Sequence, residues 1–167
     1  DLFGVDSKVV EAVTKAVRKV TDKPVIVKLS PNVTDIVEIA KAVEAGGGNG
    51  VSLINTLLGM AIDIHRRKPV LGNIYGGLSG PAVKPVALRM VHQVYKGVTI
   101  PIIGLGGIMT GTDAIEFMMA GAQAVQVGTA TMVDPTAISR IAREMSEYVE
   151  QYNLNSITDI VGAVHQA

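Results

Sequence analysis

The thirty residues from Pro101 to Ala130 constrain the fold more than any other part of the chain, because they place glycine turns after two short apolar segments. Residues 100–103 are β-branched and apolar, which is typical of a strand buried inside a parallel sheet. Residues 124–127 form a second apolar segment of the same kind, after an intervening predicted helix. The turns that follow the two segments contain Gly104, Gly106 and Gly107 in the first and Gly128 with Thr129 in the second. The pattern predicts two consecutive βα units with buried strands.

Glycine turns at the carboxyl ends of neighbouring parallel strands expose backbone N–H groups, which can bind phosphate without a cationic side chain. In a (β/α)8 barrel, the turns after strands 7 and 8 form the common phosphate site. One such turn by itself favours a simple tight connection. Two in tandem favour a phosphate site.

The composition fits a packed globular chain without a strongly charged partner. Apolar residues make up 48% and charged residues 18%, and 15 basic residues balance 15 acidic ones. This balance argues against attraction to nucleic acid or to a membrane surface. Without a long apolar run or a signal-peptide pattern, we expect a soluble cytoplasmic protein. The absence of cysteine excludes disulfides and thiolate metal sites in these residues, and the three histidines lack metal-ligand spacing.

The rest of the chain repeats the strand–helix pattern. A leading helix begins after Asp6 or Ser7, and we expect its apolar stripe to face the core: Val9, Val13, Ala16, Val17 and Val20. Four strands, each followed by a helix, predict a parallel α/β sheet. Four units in 167 residues are fewer than the eight units of a closed barrel. The fold is therefore either an open four-stranded sheet or half of a barrel.

Polar residues stand at the ends of two of these strands. Lys28 interrupts the apolar segment 25–29, so it either extends to solvent or meets a negative or electron-rich group. Its place at the carboxyl end of the strand, where α/β proteins bind ligands, favours the second interpretation. Asn55 and Thr56 follow the buried segment 51–54 and either bind a small polar ring or form the turn.

Residues 57–80 depart from the strand–helix pattern for longer than a tight connection requires. They predict a hairpin or flap over the same face, with a basic turn at His65–Lys68 that we interpret as solvated. A third glycine turn, Gly76 to Gly80, leads through Pro81 into the next helix.

Five segments in register resemble class 1 dihydroorotate dehydrogenases: KLSPNVTDI (28–36), INTLLG (54–59), GGLSGPAVKPVAL (76–88), PIIGLGGI (101–108) and AVQVGTA (124–130). The similarity covers essentially the whole chain and is nearest to the 1B type, the catalytic subunit of the NAD-linked enzyme. It implies a TIM-type (β/α)8 barrel that holds FMN. In that barrel, residues 1–167 would be the carboxyl-terminal half of a single domain, with strands 5–8 and their helices.

The resemblance also implies a role for individual residues. Lys28 would lie against the pyrimidine edge of the flavin, and Ile54 would contact the flavin through its backbone. Asn55 and Thr56 would hydrogen-bond the dihydroorotate ring. The residues implied for the ribityl phosphate of FMN are Gly80, Gly106, Gly107, Gly128 and Thr129.

The reaction implied by the resemblance is the oxidation of (S)-dihydroorotate to orotate in pyrimidine biosynthesis. A base removes a C5 proton while a hydride leaves C6 for the flavin. In the 1B type, electrons continue to NAD through a partner subunit that carries FAD and an iron–sulfur cluster, and two catalytic subunits pair as a homodimer within a heterotetramer. The class 1 base is a cysteine, which this chain lacks. We therefore expect the base to lie before Asp1 and the chain to be a carboxyl-terminal portion.

Two alternatives stay open at this point. One is another FMN-dependent barrel that acts on a reduced pyrimidine. The other is a non-catalytic half-barrel that binds phosphate or FMN and dimerises to cover its sheet edges. The missing base favours the scaffold. Lys28 and Asn55-Thr56 disfavour it, because a scaffold does not need them.

Overall fold

A computed structural model describes residues 3–166 of the chain. Its strands are, in chain order, β1 (Ile26–Leu29), β2 (Gly50–Leu53), β3 (Leu57–Met60), β4 (Ile62–Asp63), β5 (Lys68–Pro69), β6 (Tyr75–Leu78), β7 (Ile102–Leu105) and β8 (Ala124–Gln126). Four of them form one sheet in the order β1-β2-β7-β8, and every neighbouring pair in it is parallel. The predicted α/β fold with a parallel sheet is confirmed. Within residues 3–166 the sheet is open, so β1 and β8 each have a neighbour on one side only.

The α-helices that connect and flank the strands are α1 (Ser7–Arg18), α2 (Ile36–Ala45), α3 (Lys84–Tyr95), α4 (Gly111–Met119), α5 (Thr129–Val133) and α6 (Ala137–Gln151). Short 3-10 helices cover Phe3–Val5, Pro81–Val83, Ile157–Ile160 and Ala163–His165. The predicted cap of α1 forms at Asp6, whose carboxylate accepts hydrogen bonds from the first N–H groups of the helix. The Asp35 carboxylate caps α2 in the same way, and the Thr110 hydroxyl caps α4 by accepting from the Asp113 N–H.

The core lies between the sheet and the helices α2, α3 and α4. Val51 and Leu53 on the central strand β2 are fully buried, and Phe117 of α4 is the largest fully buried side chain among the described residues. Gly104 of β7 leaves room for this ring, since a Cβ there would stand 2.6 Å from its Cδ1 atom. A smaller cluster of Ile115, Met118 and Ile160 packs the end of the chain onto α4.

The predicted flap is an antiparallel ribbon. Strand β3 pairs with β6, and β4 pairs with β5 nearer the tip. The basic turn at residues 65–68 is exposed, as expected. Apolar side chains are also exposed along the ribbon, among them Ile64 at 75% and Leu58 at 66%.

The apolar stripe of α1 that we expected to face the core is largely exposed. Val20 is 82% exposed and Val13 is 49% exposed, whereas Val10 and Thr14 are buried. The Thr14 hydroxyl donates to the Val10 carbonyl, so burial leaves it satisfied. Its methyl side packs where α2 ends, because Gly46 has no Cβ and the Cβ of an alanine there would stand 2.7 Å from the Thr14 Cβ.

The two outer strands are also less buried than their composition predicts. Ile26 of β1 is 50% exposed, and Ala124 and Gln126 of β8 are exposed. Both strands are edges of the open sheet, so neighbouring backbone and side chains cover them from one side only.

Candidate functional site

The carboxyl ends of the four parallel strands surround a cavity of about 310 Å³. All three predicted glycine turns line it, through Gly80, Gly106 with Gly107, and Gly128 with Thr129. Lys28, Ile54, Asn55 and Thr56 line it as well. Every residue that the sequence suggested for a site is therefore at one cavity.

The glycine turn before α3 touches each of the other two glycine turns. Gly107 has a φ of +77°, and a Cβ on it would lie 2.8 Å from the carbonyl oxygen of Gly80, which itself has a φ of +89°. Only glycine adopts such a conformation readily, and only glycine allows so close an approach. The hydroxyls of Thr129 and Ser79 are 2.9 Å apart in a hydrogen bond, which joins the turn after β8 to the turn before α3.

The turns carry unused backbone donors. Within residues 3–166, the N–H groups of Gly106, Gly107 and Gly128 donate to no protein acceptor. Exposed polar backbone groups at a helix start attract anions, and α4 and α5 both begin close to these turns. Three unused N–H donors on glycines that line one cavity fit a phosphate group.

An ion pair stands behind the glycine turns. Lys84 Nζ lies 2.7 Å from Asp113 Oδ1 and 3.0 Å from Glu116 Oε1. The hydrogen bond to Asp113 raises the pKa of Lys84, against the opposing effect of burial. Burial raises the pKa of Asp113, but the hydrogen bonds from Lys84 and from the backbone together hold it below its usual value. The ammonium group is thus shared between two carboxylates, which leaves anion binding to the backbone.

A second cavity, of about 440 Å³, lies on the other side of Lys28, Asn55 and Thr56. Those three side chains line both cavities. Lys28 pairs in register with the buried Ser52 of β2 and is the single charged residue among the described residues that line either cavity. A polar ligand bound where the two cavities adjoin would therefore lie beside one positively charged side chain, that of Lys28.

Asn32 holds this part of the site together, and the sequence reasoning gave it no role. Its amide nitrogen donates to the Thr56 carbonyl at 3.1 Å, and its amide oxygen accepts from the Leu58 N–H at 2.9 Å. The amide thereby joins the end of β1 to the start of the ribbon. The sequence signal was its place in Ser30-Pro31-Asn32, directly after the Lys28 strand. Ser79, the partner of Thr129, was missed as well.

Ile54 differs from the other candidates because its side chain is buried. It is 3% exposed, and its N–H donates to the Leu105 carbonyl at 2.8 Å. Little of the residue is therefore open to a ligand in the cavity. The backbone contact with the flavin that the resemblance implies stays a prediction.

The part of the chain that the structure describes contains neither a metal-binding cluster nor a candidate membrane-spanning helix. Residues 3–166 contain no cluster of histidine, aspartate or glutamate side chains that could hold a metal ion. None of their helices is long and apolar enough to cross a membrane. The cysteine base expected before Asp1 lies outside the described residues.

The chain is similar to known proteins over almost its whole length. The family model for dihydroorotate dehydrogenase matches residues 2–149. The chain is 60% identical over 162 residues to a protein of Alkaliphilus metalliredigens (97% of this chain, 54% of the relative). It is 63% identical over 163 residues to a protein of Desulforamulus reducens (98% and 54%). Both relatives are named dihydroorotate dehydrogenase B (NAD(+)), catalytic subunit. The chain spans about half the length of the curated relatives it matches.

Proposed function

The chain belongs to the dihydroorotate dehydrogenase family, and we propose that it is part of an enzyme that oxidises (S)-dihydroorotate to orotate with FMN as the bound cofactor. The carrying observation is the junction of three glycine turns at one cavity, with Lys28, Asn55 and Thr56 on its rim. Identity of about 60% over nearly the whole chain supports the same reaction in relatives and in this protein.

The residues at the cavity fit FMN. We infer that the backbone N–H groups of Gly106, Gly107 and Gly128 hold its phosphate, with Gly80 and Thr129 closing the same pocket. Lys28 and the Ile54 backbone would lie along the ring system. FMN supplies the redox chemistry by accepting two electrons. The Lys28 charge would stabilise the negative charge that develops on the reduced ring, in a position held by the register of β1 with β2.

The second cavity would take the substrate. Asn55 and Thr56 present an amide and a hydroxyl where the two cavities meet, so they suit a small polar ring placed against the flavin. The Asn32 hydrogen bonds fix the backbone on which these side chains stand. Their task is to orient the ring so that its reacting carbon faces the cofactor.

The remaining parts of the proposal concern the whole protein. We propose that residues 1–167 form the carboxyl-terminal half of a (β/α)8 barrel, with strands 5–8, and that a cysteine base comes from the preceding half. Electrons would pass to NAD through a partner subunit that carries FAD and an iron–sulfur cluster. Two catalytic subunits would pair as a homodimer within a heterotetramer. A cytoplasmic location stays a prediction that cell fractionation can test.

An anaerobic absorption spectrum of the complete natural protein tests the proposed reaction. We expect flavin bands that bleach when dihydroorotate is added and return when NAD is added to the assembly with its partner. A protein that binds no flavin after incubation with FMN would refute the proposal and favour a scaffold. Flavin bands that stay unchanged would refute dihydroorotate as the substrate.

The substrate contact has its own test. Replacing Asn55 by alanine should raise the KM for dihydroorotate by about tenfold while flavin content is unchanged, because one hydrogen bond to the ring is lost. Asn73→Ala is the matched control, since Asn73 is an exposed ribbon residue whose side chain makes no described hydrogen bond. Equal KM values for the two variants would remove Asn55 from the substrate site.

A further inference from the structure

Lys84 contacts the glycine turn after β7 and lies shortly after the glycine turn that precedes α3. It begins α3 four residues after Gly80, and a Cβ on Gly107 would lie 2.8 Å from both its N and its Cβ atoms. The aliphatic part of Lys84 therefore packs directly against the backbone of the turn after β7. Its side chain is 26% exposed, so it lies partly beneath the surface.

The ammonium group of Lys84 reaches past that turn to α4. It donates to Asp113 at 2.7 Å and to Glu116 at 3.0 Å. The other oxygen of Asp113 accepts the N–H groups of Met109, at 2.9 Å, and Thr110, at 3.0 Å. Asp113 thus connects the lysine to the backbone that immediately follows Gly107.

Lys84 and Asp113 together close a ring of contacts around the turn after β7. One end of the turn rests on the start of α3, and the other end is hydrogen-bonded to Asp113, which the lysine holds. Charge-assisted hydrogen bonds of this kind are stronger than neutral ones. The Lys84–Asp113 bond therefore links the start of α3, which follows the turn at Gly80, to the start of α4, which follows the turn at Gly107.

We propose that Lys84 is a positioning residue for the cofactor phosphate, which holds the turns at Gly80 and Gly107 at a fixed separation through its bond to Asp113. This inference rests on the proposed function, because the ligand of the turns is taken to be the FMN phosphate. Lys84 acts through the turns and does not bind the phosphate itself, since two carboxylates already share its charge. Nothing in the glycine pattern alone assigns it this role.

The test compares the binding of FMN and riboflavin, which differ only in the phosphate. Flavin is removed from the complete natural protein, and each ligand is titrated by the quenching of its fluorescence. Lys84→Met keeps the aliphatic contact with Gly107 but removes the ammonium group. We expect FMN binding to weaken by about tenfold and riboflavin binding to change by less than about twofold.

Three further variants sharpen the test. Lys84→Arg restores a cation at the two carboxylates and should recover most of the preference for FMN. Asp113→Asn removes the charge of the acceptor and should weaken FMN binding in the same direction, which keeps the proposal testable if Lys84→Met does not fold. Lys15→Met removes an exposed ion pair with Glu11 on α1 and should leave both affinities unchanged.

The outcomes separate this inference from the proposed function. If the unmodified protein binds neither ligand, the proposed function fails and the inference fails with it. If it binds FMN but Lys84→Met binds FMN equally well, only the inference is overturned. If Lys84→Met weakens FMN and riboflavin by the same factor, the lysine has a purely structural role and the inference is again overturned.

Discussion

Replacing Gly107 by alanine is the sharpest test of how the phosphate turns are built. The added Cβ would stand 2.8 Å from the Gly80 carbonyl oxygen and 2.8 Å from the Lys84 nitrogen. Both of these atoms belong to backbone, so neither can rotate away. The residue also has a φ of +77°, which residues other than glycine rarely adopt. The two turns would have to separate to accept the methyl group.

The expected cost follows from these two effects. The left-handed conformation costs an alanine roughly 1 kcal/mol. Forcing a methyl group into a filled site costs about 1–3 kcal/mol more. We therefore expect Gly107→Ala to lower the free energy of unfolding by roughly 2–4 kcal/mol. FMN affinity should fall as well, because the turn that carries the Gly106 and Gly107 N–H groups would be displaced from the rest of the pocket.

Urea denaturation of the flavin-free protein measures the first quantity, and flavin titration measures the second. Gly72→Ala is the matched control, because Gly72 lies in the exposed ribbon and a Cβ there meets nothing within 4 Å. Its effect on stability should stay within about 0.5 kcal/mol. Equal stabilities for the Gly107 and Gly72 variants would refute the close contact between the turns.

Three further predictions concern stability. Gly104→Ala should destabilise the fold by about 1–3 kcal/mol in urea denaturation, because its Cβ would meet the buried Phe117 ring at 2.6 Å; a neutral effect would contradict this packing. The side-chain and backbone hydrogen bonds from Thr99 lower the pKa of Glu44, so its stabilising effect is present above its ordinary value of 4.5 and is lost as the pH falls through the lowered value. Glu44→Gln should therefore flatten the acid side of the stability–pH curve, and an unchanged curve would contradict the assignment. Burial, with neighbouring basic groups, lowers the pKa of His92 from 6.5, so stability should fall as the pH drops below that value, and His92→Gln should remove this slope.

The sheet and its turns were predictable because their signals are local. Short β-branched segments that end in glycine, each followed by a capped amphipathic helix, specify βα units wherever they occur. The segment before Gly106 is an example. The predicted strand covers residues 100–103, and the observed β7 begins and ends two residues later. The resemblance to the dehydrogenase family added the identity of the candidate ligands, which spacing alone left open.

The burial of individual faces was not predictable in the same way. Val13 and Val20 lie on an apolar stripe of α1, yet α1 packs on α2 through Val10 and Thr14. Which stripe a helix buries depends on the shape of its neighbour, here on the absence of a Cβ at Gly46. The exposure of Ile26 follows from the place of β1 in the sheet order, which the composition of a strand does not encode.

The sequence by itself determined the parallel α/β class, the glycine turns and the residues that gather at the strand ends. These depend on residues close together in the chain or on the rule that parallel strands end at the same edge of a sheet. Tertiary structure alone decided that Gly107 rests on Gly80 and that Lys84 reaches Asp113, 29 residues further along the chain. Such contacts depend on the packing of separate elements to within an ångström, and no local pattern of residues encodes that distance.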